Sequence, residues 1–269
     1  MSKRDRYEPG VPCWVDTLQP DPDTAVDFYG RLFGWQFAGP GAIPGGGDYF
    51  VARLGDHDVA GVGAMRAEGA LPRPAWNTHV CVRDADEAVA TTTAAGGRVL
   101  AGPFEALPAG RMAALADPAG ATFCAWQPGQ RQGAQRVNEA GAWSMSLLST
   151  HDVEGAKEFY RAVFGWQPET MRFGDSEMTL WRLPGYVGGE PQQPVPRDVV
   201  AALLPSEGDA PSAWNVNFWA RATDEVAETA TARGGAVIVP PHDTPGFRNA
   251  VLADPHGAAF SVSQPLAVR

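Results

Sequence analysis

Residues 76–82 read WNTHVCV, and residues 214–220 read WNVNFWA. Each stretch stands ahead of a second shared phrase, LADPAGATFCAWQP at 115–128 and LADPHGAAFSVSQP at 252–265. Two more phrases recur in the same order. DPDTAVDFYGRLFGW (21–35) matches DVEGAKEFYRAVFGW (152–166), and TTTAAGGRV (91–99) matches TATARGGAV (229–237). The offset grows only from 131 (Trp35 to Trp166) to 138 (Trp76 to Trp214). Repetition at a fixed spacing marks a duplicated structural unit, so the chain is two copies of a unit of about 130 residues. The copies span 8–128 and 141–266. Between them lies the polar, Gly- and Gln-rich stretch 129–140, the composition of a boundary.

Each copy holds a weaker half-repeat: a strand, a helix ending at glycine, then three strands. CWVDTLQ (13–19) leads into the first helix and WNTHVCV into the second. Ala25, Phe28, Tyr29, Leu32 and Phe33 fall at the i, i+3, i+4, i+7 spacing of one helical face, and Ala156, Phe159, Tyr160, Val163 and Phe164 repeat it. Asp21 and Asp152 precede these helices as N-caps, Pro22 suits a first turn, and Gly34 and Gly165 end them. DYFVARL and DVAGVGAM flank the turn GDH, and RMAALA and ATFCAWQ flank DPAG, as hairpins do. The expected fold is α+β: four βαβββ modules making two tandem domains.

Composition excludes several function classes. The 269 residues carry a formal net charge of -10, without a Lys/Arg cluster for nucleic acid or an anionic membrane. No apolar run reaches the roughly 18 residues of a membrane span, and the N-terminus lacks the apolar core of a signal peptide. Three cysteines, Cys13, Cys81 and Cys124, read as reduced thiols, so the expected location is the cytoplasm. GAIPGGGDYF (41–50) leads to a strand and not a helix, so it is a flexible loop and not a phosphate cradle.

The ordered phrases DPDTAVDFYGRLFGW, DADEAVATTTAAGG and LADPAGATFCAWQ, with their second copies, resemble the vicinal oxygen chelate superfamily of glyoxalases, extradiol dioxygenases and bleomycin- and fosfomycin-resistance proteins. The pattern is most similar to a two-domain actinobacterial group of culture-filtrate antigens often labelled hydroxylases. The resemblance implies that paired modules curl into a cleft. In metal-binding members four His or Glu ligands point into that cleft, one from the first strand and one from a late strand of each module. Here those positions fall on Trp14, Asn77, Cys124 and the region Gly61 to Gly63. In the second copy they fall on Met145, Asn215, Ser261 and the region of Gly188 and Gly189. Neither set supplies the imidazole and carboxylate donors such a site needs, so no metal or other cofactor is expected. A register shifted by two would instead put Asp16 and His79 at ligand positions.

Side chains alternate along a strand, so Asn77, His79 and Cys81 share one face, as do Trp14, Asp16 and Leu18, and Cys124 and Trp126. By the family pattern these faces line the cleft. His79 is the candidate acid or base and Asp16 its orienting carboxylate; the second copy has Asn217 and Leu147 there, so such chemistry belongs to the first domain. Trp14, Trp126 and Trp219 are candidate aromatic walls, and Asn77 and Asn215 either orient a ligand or tie a strand end. Ser261 and Ser263 complete the second set. Cys81 and Cys124 read as buried thiols, because same-face neighbours lie roughly 7 Å apart and His79 is no close base for Cys81. His57, His151 and His256 read as turn residues, and His242 as a loop residue near the second cleft. The long segment 185–212 reads as a cover for that cleft or an interface.

Three functions follow. The first is metal-independent binding of a small metabolite or antibiotic. The second is glyoxalase-like or hydroxylase-like catalysis using His79 and Asp16. The third is a structural protein with both clefts idle. Duplication lets one chain supply both clefts, so a monomer is expected.

Overall fold

The computed structural model describes residues 3–42, 47–65, 73–173, 176–188, 196–206 and 210–266. The first module is β1 (Pro12–Gln19), α1 (Pro22–Phe33), β2 (Gln36–Ala42), β3 (Asp48–Leu54) and β4 (His57–Ala64). The second is β5 (Ala75–Cys81), α2 (Ala85–Ala94), β6 (Arg98–Ala106), β7 (Gly110–Ala116) and β8 (Thr122–Pro128). The second copy repeats the order with β9 (Trp143–Thr150), α3 (Val153–Phe164), β10 (Gln167–Phe173), β11 (Ser176–Arg182) and β12 (Val199–Pro205). It ends with β13 (Ala213–Trp219), α4 (Thr223–Ala232), β14 (Ala236–Thr244), β15 (Phe247–Ala253) and β16 (Ala259–Pro265). The four βαβββ modules are thus present.

Each pair of modules makes one eight-stranded mixed sheet. The orders are β2-β3-β4-β1-β5-β8-β7-β6 and β10-β11-β12-β9-β13-β16-β15-β14. The modules join where β1 runs antiparallel to β5, pairing Trp14 with His79 and Asp16 with Asn77. Parallel partners flank this seam: Asp16 pairs with Gly61 of β4, and His79 with Cys124 of β8.

The helices start and stop for local reasons. The Asp21 carboxylate accepts from the N–H groups of Asp23 and Thr24, and that of Asp152 from Gly155. Gly34 and Gly165 close α1 and α3 at φ 72° and 73°, a left-handed conformation in which a Cβ is strained.

The helices lie between the two sheets, α1 against α4 and α2 against α3. Their buried stripes therefore meet residues of the other copy: Phe33 packs on Phe218 at 5.0 Å between ring centroids, and Phe123 on Phe159 at 6.1 Å. Trp35 Nε1 donates to the carbonyl of Gly141 at 2.6 Å, and Trp166 Nε1 to that of Gly10 at 2.7 Å. The duplicated phrases thus form one shared core.

Two sequence readings need correction. The segment 185–212 is not only a cover: it contains β12, the counterpart of β4. Its VVAALLP run is apolar throughout, as in strands covered on both faces, so it lacks the alternation that exposes a half-buried strand. Ala202 of β12 pairs with Leu147 as Gly61 pairs with Asp16, so the counterpart of the Gly61 region is Ala202 and not Gly188 and Gly189. Gly188 precedes β12 outside any strand; Gly189 lies outside the described residues. Second, His242 stands in β14, exposed and paired with Asn249, and His57 opens β4; neither is a loop or turn residue. Residues 43–46 of the expected flexible loop also lie outside the described residues.

Candidate functional site

The curl of the first sheet encloses a cavity of about 550 Å³, within the range of small-molecule sites. Its floor is the β1–β5–β8 seam, where alternation turns Trp14, Asp16, Leu18, Asn77, His79, Cys124 and Trp126 inward. Its walls add Tyr49 and Val51 from β3, Phe104 from β6 and Met112 from β7.

Asp16 is the hub of the polar end. Its Oδ1 accepts from Asn77 Nδ2 at 3.0 Å and stands 3.1 Å from His79 Nε2; its Oδ2 accepts from the Tyr49 hydroxyl at 3.0 Å. Trp14 Nε1 donates to the same hydroxyl at 2.9 Å, so Trp14, Tyr49, Asn77 and Asp16 hold one another. His79 is 2% exposed. Its Nε2 lies near the carboxylate but off the N–H axis, so neither ring nitrogen has a directed hydrogen bond. A buried polar atom without a partner is costly and is a recurrent mark of functional sites.

Burial alone would raise the Asp16 pKa. The facing imidazole of His79 and the hydrogen bonds from Asn77 and Tyr49 outweigh it and hold the carboxyl below its usual range. Asp16 is therefore an ionised acceptor at neutral pH. Burial, then the charge of Asp16, pushes the Tyr49 phenol well up, so it stays a neutral donor. Burial likewise raises the Cys124 thiol, which is an unreactive part of the wall.

The aromatic walls are fixed from outside. Arg131 lies over the Trp14 ring at 5.2 Å, its carbonyl accepts from Trp126 Nε1 at 3.0 Å, and its guanidinium pairs with Asp58 at 2.7 Å. Arg131 belongs to the stretch read as a linker, which here packs on the rim of the cavity. Sequence reasoning missed Arg131, Tyr49, Phe104 and Met112. The available signal was glycine spacing: a Cβ on Gly61 would stand 1.9 Å from the Tyr49 hydroxyl oxygen, and one on Gly63 2.8 Å from its ring. Two glycines on one strand face make room for a large neighbour.

Cys81 does not line the cavity. The N-terminal segment covers the end of β5, the Gly10 N–H donates to the Cys81 carbonyl, and the Cys81 thiol contacts the Tyr7 carbonyl at 3.5 Å.

In the second domain the corresponding polar side chains satisfy one another. Ser261 Oγ donates to Asn215 Oδ1 at 2.5 Å, Asn217 Nδ2 donates to Ser144 Oγ at 2.8 Å, and Ser263 Oγ sits between Asn217 (2.9 Å) and Asn249 (2.6 Å). Met145 pairs across the seam with Asn217, while Trp219, half-buried at the end of β13, is tied through its backbone to Ala142. This group holds neither a carboxylate nor an imidazole.

The fold family implies a divalent ion in such a cleft, and the donors do not fit one. Among the described residues, no three His, Cys, Asp or Glu side chains come together closely enough to hold a metal. Asp16 and His79 make two donors, and the β4 position beside Asp16 is Gly61.

Among the described residues no helix is long and apolar enough to cross a membrane. Residues 14–126 match a family described as a glyoxalase-like domain, and residues 146–180 one described as bleomycin resistance protein-like N-terminal. The chain is 37% identical over 270 residues, 98% of each chain, to the Mycobacterium tuberculosis protein CFP32, whose name provisionally assigns it as a glyoxylase. It is 33% identical to the anthracycline biosynthesis protein DnrV of Streptomyces peucetius, covering 96% of this chain and 94% of that one. In fold it is similar to the Mn(II)-bound glyoxalase of Novosphingobium aromaticivorans, with a TM-score of 0.64 at 17% identity over 99% of this chain and 84% of that one. The 2,3-dioxygenase LapB of Pseudomonas sp. KL28 gives 0.62 at 13% identity over 99% and 94%. The four repeated modules, the curled sheets and these relatives agree: the chain belongs to the vicinal oxygen chelate superfamily, as a two-domain glyoxalase-like protein.

Proposed function

We propose that the chain binds a planar, largely apolar small molecule in the cavity of the first domain, without a metal ion. The observation that carries this reading is the cavity itself. Trp14, Trp126, Phe104 and Met112 offer flat and polarisable walls, and Asp16, Asn77, His79 and Tyr49 gather at one polar end. The similarity to an anthracycline biosynthesis protein points to a hydroxylated polycyclic aromatic as the ligand class. Three buried thiols without a disulfide accord with a reducing, cytoplasmic setting, and two domains supplied by one chain accord with a monomer.

Tryptophan fluorescence tests it. Chelator-treated protein is titrated with a hydroxyanthraquinone, then with Mn²⁺ added. The expected result is saturable one-to-one quenching that Mn²⁺ leaves unchanged and His79→Ala weakens. Binding only in the presence of metal sinks the proposal.

The 3.1 Å approach of Asp16 to His79 favours a second reading, in which the bound molecule also reacts. Asp16 would orient His79, and the imidazole would move a proton on the ligand. Turnover that is lost in both His79→Gln and Asp16→Asn, with ligand affinity retained, separates this reading from binding alone.

A further inference from the structure

We propose that Tyr49 is a built-in block against a metal ion: its ring and hydroxyl fill the place from which a ligand on β4 would join Asp16 and His79. The inference rests on the metal-independent reading of the same cavity and names the residue responsible for it.

Three observations converge. Gly61 is the β4 residue paired with Asp16, so a side chain there would emerge beside that carboxylate. The space is already taken: a Cβ at Gly61 would stand 1.9 Å from the Tyr49 hydroxyl oxygen and 2.5 Å from the ring carbon that bears it. A donor side chain at residue 61 would therefore have to displace this ring. The hydroxyl in turn donates to Asp16 Oδ2 at 3.0 Å and accepts from Trp14 Nε1 at 2.9 Å, which fixes the ring in that place. A neutral O–H thus supplies to one carboxylate oxygen what a cation would otherwise supply, and His79 and Asn77 attend the other.

The chemistry of the remaining donors makes the role of Tyr49 testable. Asp16 and His79 provide one oxygen and one nitrogen, both suited to Mn²⁺ or Ni²⁺. A carboxylate or imidazole at residue 61, with Tyr49 removed, would complete a three-donor site with room for water. Chelator-treated wild type, Tyr49→Phe, Tyr49→Ala/Gly61→Glu and Tyr49→Ala/Gly61→His are titrated with Mn²⁺ and Ni²⁺ by calorimetry. Mn²⁺ spin resonance gives a second readout, and melting curves establish that each variant is folded.

The expected result is no stoichiometric ion in wild type or Tyr49→Phe, whose ring still fills the space. At least one double variant binds one ion per chain at least 100-fold more tightly than wild type, and Asp16→Ala in that background abolishes it. If wild type binds one ion, and Asp16→Ala abolishes that, the metal-independent reading falls and this inference with it. If wild type binds none and both folded double variants also bind none, the reading stands and the role assigned to Tyr49 is wrong. The glutamate and histidine versions are independent attempts, so failure of one to fold leaves the other to decide.

Discussion

The Tyr29 hydroxyl donates to the Asp254 carboxylate at 2.9 Å, across the interface between the two copies. The reciprocal pair, Tyr160 to Asp117, spans 3.1 Å. Each tyrosine also accepts from a Trp-Asn tryptophan, Trp76 to Tyr29 at 2.9 Å and Trp214 to Tyr160 at 2.8 Å. The phrases that recur, FY, WN and LADP, are therefore the residues of a pseudo-symmetric joint. Each copy presents the same surface to the other, and of these phrases only Asn77 of the first WN also lines the cavity.

Removing one hydroxyl from this joint should leave a buried carboxylate short of a donor. Tyr160→Phe is expected to lower stability by about 1–3 kcal/mol. The matching loss of melting temperature is about 2–4 °C per kcal/mol for a chain of this size. Tyr29→Phe should cost less, because Asp254 keeps Gln19 as a side-chain donor at 2.7 Å. Equal losses in urea denaturation would show that the remaining donor contributes nothing.

The buried carboxylates predict opposite pH limbs. Asp16 is held below its ordinary value, so the unfolded chain takes up its proton first. Its contribution is present above the unfolded pKa of about 3.9 and is lost as pH falls through the folded one. Asp117 is raised, chiefly by burial, so the folded chain holds its proton longer. Its contribution is greatest in acid and falls as pH climbs from the ordinary value towards the folded one. Asp16→Asn should therefore flatten the acid-side loss in a pH series of denaturation curves. A steeper acid limb in that variant would mean that folding raises the Asp16 pKa instead of lowering it.

Gly61 and Tyr49 should be energetically coupled. Gly61→Ala places a methyl group against the phenol and is expected to cost about 1–3 kcal/mol as overpacking. In the Tyr49→Ala background the same change should cost little. A double-mutant cycle measures the difference, with a coupling of at least about 1 kcal/mol expected for groups in contact. Additivity would mean that the ring moves aside freely.

Much of the fold was legible because the duplication is. Matching caps, stripes and DPxG turns appear in both copies, and strand alternation put Trp14, Asp16, Asn77, His79, Cys124 and Trp126 on inward faces. What escaped was tertiary. Tyr49 reaches the hub from a neighbouring hairpin, and only the absent Cβ atoms of Gly61 and Gly63 hinted at it. Arg131 sits in a stretch whose composition reads as a linker. Cys81 keeps its place in the alternation of β5, in register with Trp126, but the N-terminal segment around Tyr7 and Val11 covers it there, a tertiary contact that strand alternation cannot show. β12 escaped because a strand covered on both faces has no alternation to read.

The proposed binding site predicts that Trp126 and Trp219, one in each domain, differ in their effect on ligand affinity. Trp126 forms part of the first cavity and is held by its bond to the Arg131 carbonyl, whereas Trp219 ends β13 in the second domain. A well-packed aromatic contact contributes about 1–2 kcal/mol, including its share of buried area, which corresponds to roughly 5- to 30-fold in Kd. Trp126→Ala should weaken hydroxyanthraquinone binding by about that factor. Trp126→Phe should recover most of the loss, because it restores a flat ring and forfeits only the bond to Arg131. Trp219→Ala should leave affinity within about twofold, well under 1 kcal/mol. Fluorescence titration of the three variants decides it: a loss in Trp219→Ala equal to that in Trp126→Ala would move the binding site, or half of it, to the second domain.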